Sequence, residues 1–255
     1  MKRLLRRITG RKRKKGKEPD IPRYDQDHLR TAHNHDFMRD PRFVKAYQRG
    51  VQASGSDYGW HWRVHTGLWA ATTASKLAGD FVECGVGHGF MASAILDSLD
   101  WNASQTQRHF HLFDTFTGLQ DRHLTDEEIQ RKGDAETQNA IYRNAGVYAE
   151  GVEAVRRNFE EWERVHIIEG AVPDTLHSAE IDQVAFLHLD MNCCAPEIAA
   201  LEHFWPRLVP GGIVLLDDYA YLGCELQKEA IDKAAAKLGH PVLSLPTGQG
   251  MILNT

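Results

Sequence analysis

The stretch Asp80–Phe90, DFVECGVGHGF, constrains the fold of this 255-residue chain more than any other. A short apolar run (Phe81, Val82, Cys84) ends in glycines at 85, 87 and 89, and a helical pattern begins at once. Strand, glycine turn and helix in that order bring main chain close to a ligand at the carboxyl edge of an open α/β sheet. The pattern is not a dinucleotide fingerprint, which needs G-x-G-x-x-G, because the sixth position from Gly85 is Phe90. Glu83 stands just before the turn, where it disfavours a pyrophosphate but suits a cationic or hydroxyl-rich cofactor. A tight turn without a ligand is the plain alternative.

Later apolar runs extend one sheet from this strand. Phe110 and Leu112 open a second strand ending at Asp114, with Gly118 in the turn beyond. An acid at that strand end can bond ribose hydroxyls, or it can cap its own loop. VHII (165–168) is the third strand, and Glu169 and Gly170 follow in a turn positioned to approach an adenine or its linkage. VAFLHLD (184–190) and IVLLDDY (213–219) read as buried strands, and PVLSLPTGQGMIL supplies two short ones around Pro246–Gly250. Helices interleave until the last connection. The pattern predicts an α/β fold: seven strands in a mostly parallel Rossmann-like sheet with an antiparallel final strand, and helices on both faces. Between the strands, the spacing predicts a helix ended by Gly79 and another starting at Asp174–Thr175. A third is expected over Pro196–Leu208, with Ile198, Leu201, Trp205 and Leu208 on one face.

Asp190, Asp217 and Asp218 close two highly apolar strands. Buried strands end in charge at a cost unless the charge meets solvent, a partner or a ligand. Three neighbouring acids repel one another, and a divalent cation offsets that repulsion. Oxygen ligands favour magnesium over zinc, and Asn192 can add an amide oxygen or orient a water. Water-facing acids without metal, or simple helix caps, are the alternatives. Asp190, at the strand tip, is expected to stand apart from His188, which is expected to pack. Cys193 and Cys194 with His188 make a poor zinc set, and their ordinary role is packing.

The N-terminal part is organised differently. Ten of the 30 Lys and Arg lie in residues 1–17, which hold no acid, leaving 20 against 35 Asp and Glu in the body. The acidic body argues against a stable nucleic-acid partner. The basic leader suits a flexible solubilising tail, with transient contact to an anionic membrane or to nucleic acid as alternatives. Residues 18–78 read as an arm and helical lid. The arm, 18–40, looks irregular, and His33, His35 and Asp36 in it suit an exposed loop better than a metal site. Residues 41–78 look helical, with Trp62, Leu68, Trp69, Thr72, Thr73 and Leu77 covering the first strand. Trp60, His61, Arg63 and His65 precede the glycine turn and are candidates to face a substrate, against aromatic packing with a wet surface. Residues 79–255 form the expected catalytic domain, in which the polar insertion 119–149 is a candidate lid.

An apolar share of 42% suits a globular chain with a real core, and no apolar run reaches membrane-spanning length. Four cysteines without a C-x-x-C pair point to a reducing compartment. The expected place is the cytoplasm, peripheral to the inner membrane surface if the leader engages it. Serine-hydrolase and Walker motifs are absent from the sequence.

GDFVECGVGHG, LFDTFTGL, FLHLDMNCCAPEIAALEHFWPRLVPGGIVLLDDY and PTGQGMIL together resemble the macrocin O-methyltransferase family of class I S-adenosylmethionine enzymes. The resemblance covers roughly residues 75–255. It implies a seven-stranded methyltransferase sheet, S-adenosyl-L-methionine as cofactor, magnesium, and a sugar-containing hydroxyl acceptor. Glu83 to Gly89 then resemble the methionine-side turn, Asp114 the ribose acid, and Asp190, Asp217 and Asp218 the metal acids. Asn192 stands where the family often has a second acid, and Cys193-Cys194 where a Tyr-containing segment is common. The expected mechanism is metal-assisted O-methylation with Asp190 as base and ligand, and with Tyr219, His188 and Asn192 near the acceptor. Catechol-type methylation and a catalytically silent cofactor-binding domain remain the alternatives. Assembly into a homo-oligomer is compatible with the sequence.

Overall fold

The computed structural model describes residues 24–149 and 151–255, so the basic leader and the start of the arm lie outside the described residues. The chain begins with β1 (Tyr24–Gln26), β2 (Leu29–Thr31), α1 (Pro41–Ser54) and α2 (His61–Ala74). The first sheet unit follows as β3 (Asp80–Cys84), α3 (Phe90–Ser98), α4 (Trp101–Ser104) and β4 (Phe110–Asp114). After it come α5 (Asp126–Lys132), α6 (Ala135–Asn144), α7 (Val152–Phe159) and β5 (Val165–Glu169). The last part holds β6 (Val184–Leu189), α8 (Cys194–Phe204), β7 (Leu208–Leu216), α9 (Glu225–Leu238), β8 (Leu243–Ser244) and β9 (Gly250–Leu253).

Seven strands form one sheet in the order β5-β4-β3-β6-β7-β9-β8. Pairing is parallel from β5 to β7, and β9 runs antiparallel to both β7 and β8. The mostly parallel sheet and its closing hairpin are as expected. Strand order reverses between β3 and β6, the position where open α/β sheets leave a crevice at their carboxyl ends. Alternation along each strand splits the core. Phe81, Phe110, Phe186 and Leu215 face α1, α2 and α3, while Val82, Phe113, Leu187 and Leu216 face α8 and α9.

Several local expectations are corrected. Residues 24–31 are a β-hairpin, not irregular chain, with Asp27 and His28 both at positive φ in its turn. The α2 helix stops at Ala74, five residues short of Gly79. Its buried stripe is Val64, Gly67, Leu68, Ala70, Ala71 and Ala74, while Trp69 is 56% exposed. Small residues let α2 approach closely: a Cβ on Gly67 would meet Met91 Sδ at 2.5 Å. No helix starts at Asp174, where the chain makes turns. Leu208 opens β7 instead of ending α8, and Gly211-Gly212 lie inside that strand. No helix among the described residues is long and apolar enough to cross a membrane.

The insertion is helical, and an acid in it reaches the start of α8. Thr125 and Glu128 form a reciprocal capping box at the start of α5. Glu128 Oε1 also accepts the Cys194 N–H at 2.8 Å, capping α8 from a distance. Burial would raise this carboxyl, but the N–H donors of Thr125 and Cys194 outweigh it and hold it low. Its contribution is therefore present above the unfolded carboxylate range and is lost as pH falls through the depressed value. Glu128→Ala should cost about 2–3 kcal/mol in urea unfolding at neutral pH, because a buried N–H loses its acceptor.

Candidate functional site

The glycine turn is built by backbone that only glycine tolerates well. Gly85 and Gly89 sit at φ +88°, and Gly87 at φ +55°. A Cβ on Gly85 would overlap the main-chain carbonyl of Asp190, so the turn and the end of β6 touch directly. Asp114, at the tip of β4, holds the turn open. Its Oδ2 accepts from Val86 N at 2.6 Å and Gly87 N at 2.9 Å, and its Oδ1 from Phe116 N at 2.6 Å.

A cavity of about 750 Å³ starts at this turn. Gly85, Gly87, Asp114 and Gly170 line one part of it, and His188, Asp190, Asp217 and Asp218 another. Glu169 is not in the lining: it is half-exposed, with Arg156 Nη2 at 3.7 Å. As the last residue of the edge strand β5, it projects away from the crevice that its neighbour Gly170 borders.

Register explains the acid edge. Glu83 and His188 are partners in the β3–β6 pairing, and His188 Nδ1 lies 2.8 Å from Glu83 Oε1. His188 and Asp190 are two residues apart and share a face, so they are not separated as expected. Ligand atoms of His188, Asp190 and Asp217 all lie within 4.8 Å of one another, the convergent group among the described residues. Asp218 Oδ1 instead accepts from Arg63 Nη2 at 2.8 Å. The same Nη2 reaches the Asp217 main-chain oxygen at 2.7 Å and its Oδ2 at 3.1 Å.

These contacts set the charges. Burial and the adjacent Asp217 and Asp218 push the Asp190 carboxyl well above its usual range. Burial would also raise Asp217, but Arg63 and His188 hold it down at about 2. Burial would depress His188, yet Asp217 and Glu83 on its two nitrogens raise it to about 10. Glu83 Oε2 and His188 Nε2 remain buried without a hydrogen-bond partner among the described residues. Incompletely paired acids with converging oxygens fit a hard divalent cation, and a side-chain-free glycine turn beside Glu83 fits a cofactor carrying positive charge.

The remaining candidates separate. Trp60, Arg63 and Asn192 line the cavity. His61 stacks on Tyr47 at 4.2 Å and bonds Gln26, and His65 stacks on Phe37 at 4.0 Å, so both pack the arm. Tyr219 turns away, with its hydroxyl donating to Asp232 Oδ1 at 2.5 Å. Other wall residues carry no local signal in the sequence. Tyr142 and Tyr148, stacked at 4.7 Å, come from the insertion, and behind the wall Gln249, outside the lining, donates to Asp217 Oδ1 at 2.9 Å from the final hairpin.

The sequence matches the macrocin-O-methyltransferase (TylF) family over residues 66–245. It is 32% identical over 159 residues to the 8-demethyl-8-(2,3-dimethoxy-alpha-L-rhamnosyl)-tetracenomycin-C 4'-O-methyltransferase of Streptomyces olivaceus, covering 59% of this chain and 57% of that one. It is 31% identical over 171 residues to the demethyldecarbamoylnovobiocin O-methyltransferase of Streptomyces niveus, covering 64% and 60%. The matched stretch thus spans less than two thirds of these curated relatives' length. The fold is that of the O-methyltransferase NovP, with TM-score 0.64 and 24% identity over 86% of this chain and 97% of that one.

Proposed function

Since the chain belongs to the macrocin O-methyltransferase family, we propose that it methylates a hydroxyl of a sugar-bearing small molecule, using S-adenosyl-L-methionine and magnesium. The observation that carries this reading is one cavity bounded by both the glycine turn and the acid edge. The rhamnosyl group in the name of the Streptomyces olivaceus relative supports a glycosylated acceptor.

S-adenosyl-L-methionine supplies an electrophilic methyl group on a sulfonium. A magnesium ion at Asp190 and Asp217, joined by Asp218 once Arg63 releases it, would supply charge that lowers the pKa of the acceptor hydroxyl. The chain's own residues then have separate tasks. Gly85 and Gly87 give the cofactor backbone without side chains, whereas Gly89, expected to join them, lies outside the cavity lining with its Cβ position against the Phe159 ring, and Asp114 keeps the turn in shape. Asp190 takes the acceptor proton on a carboxylate oxygen. Glu83 orients His188 beside it, and Tyr142 and Tyr148 of the insertion close the wall over the acceptor and exclude water.

The test is transfer of labelled methyl from S-adenosyl-L-methionine to a panel of rhamnosylated phenols and free catechols, with magnesium or with chelator. Label on a sugar hydroxyl that disappears with chelator is expected. Label on catechols alone would replace the acceptor class, and cofactor binding without any transfer would mark a silent domain.

A further inference from the structure

Arg63 is the cation that the acid edge already contains. It is 5% exposed and stands third in α2, where the helix dipole disfavours positive charge. Its position therefore rests on the acids it meets. One nitrogen, Nη2, serves Asp217 and Asp218 together, at 2.7 Å, 2.8 Å and 3.1 Å. On the other side, Nε is buried without a hydrogen-bond acceptor, and Asp27 Oδ2 waits 3.9 Å away in the turn of the β1–β2 hairpin. Asp27 is itself anchored, since its Oδ1 accepts the Tyr221 hydroxyl at 2.8 Å. The Tyr221 ring covers the guanidinium face at 4.5 Å.

We propose that Arg63 is a positioning residue that sets how tightly the acid edge holds a divalent ion, by acting as a resident cation competing for Asp217 and Asp218. This rests on the metal-assisted reading above. A guanidinium stays charged at any working pH, so it cannot yield the site by losing a proton. An incoming divalent ion meets its repulsion, and it meets an Asp218 oxygen already in use. Arg63 can give way only by moving, and Asp27, already in ion-pair range of an Nε that lacks a hydrogen bond, supplies the alternative partner. Metal binding is thereby coupled to the N-terminal hairpin, which carries Asp27.

The sign of the effect separates competition from bracing. If Arg63 competes, removing its charge tightens metal binding; if it only holds the acids in place, removal loosens it. Manganese(II) is the probe, followed by the loss of its free-ion electron paramagnetic resonance signal on titration with protein. Calorimetric binding of S-adenosylhomocysteine serves as the control for an intact site. Arg63→Met, or Arg63→Gln if the first does not fold, should bind manganese at least tenfold more tightly than wild type. Arg63→Lys keeps the charge and should stay within about threefold of wild type, one half of a tenfold step on the free-energy scale.

Wild-type binding with no tightening in either neutral variant overturns the proposal and leaves the metal reading standing. A tenfold change in Arg63→Lys, in either direction, also overturns it. Manganese taken up by the neutral variant but not by wild type supports the proposal and removes metal assistance from the native reaction. No uptake by any of the proteins overturns both.

Discussion

Gly85→Ala should lower the melting temperature by roughly 10 °C and abolish cofactor binding, from a cost of about 2–5 kcal/mol. Two effects add. The residue sits at φ +88°, where an L side chain is strained, and its new methyl would overlap the Asp190 carbonyl. Backbone cannot swing aside as a side chain does, so β6 must shift at its tip. That tip carries Asp190, and the damage would reach both ends of the cavity. Gly55→Ala is the control, since Gly55 also has positive φ (+71°) but has nothing within 4 Å of its Cβ position. It should lose only the left-handed backbone penalty, about 1–2 kcal/mol, and keep cofactor affinity. Thermal melts with S-adenosylhomocysteine titrations check both variants. Equal losses in the two would show that the contact with Asp190 relaxes cheaply.

Asp190→Asn should reduce kcat by about 10²–10⁴-fold while S-adenosylhomocysteine binding stays close to wild type. The amide keeps the shape of the carboxylate but cannot take the acceptor proton. It also removes one of the repelling charges beside Asp217 and Asp218, so the fold should not suffer. Single-turnover methyl transfer separates chemistry from product release. Turnover near wild type would remove Asp190 as the essential base.

How much of the site can be read along the chain depends on the range of the forces involved. The glycine turn is legible because each glycine answers a local backbone demand, here a φ of +88° or +55°. Asp114, Asp190, Asp217 and Asp218 are legible because charge at the end of an apolar run has few places to go. Glu169 follows the same local rule, yet the structure leaves it half-exposed beside Arg156, because β5 is the sheet's edge strand. Trp69 shows the same limit in a helix. An aromatic residue looks buried by its chemistry, while alanines and a glycine on the other face let α2 pack closer.

Fold class, the glycine turn and the acids at the strand ends are encoded locally, because hydrophobic periodicity, glycine conformation and strand-end charge act within a few residues. The sequence also carries the family resemblance. Which of those acids converge, and which one a guanidinium already neutralises, depends on how distant elements pack. Arg63 meets Asp217 and Asp218 across 154 and 155 residues of chain, and Gln249 meets Asp217 across 32. Those pairings depend on strand order and on where α2 and the last hairpin dock. Electrostatic partnership is set by distance in space, which no spacing along the chain encodes.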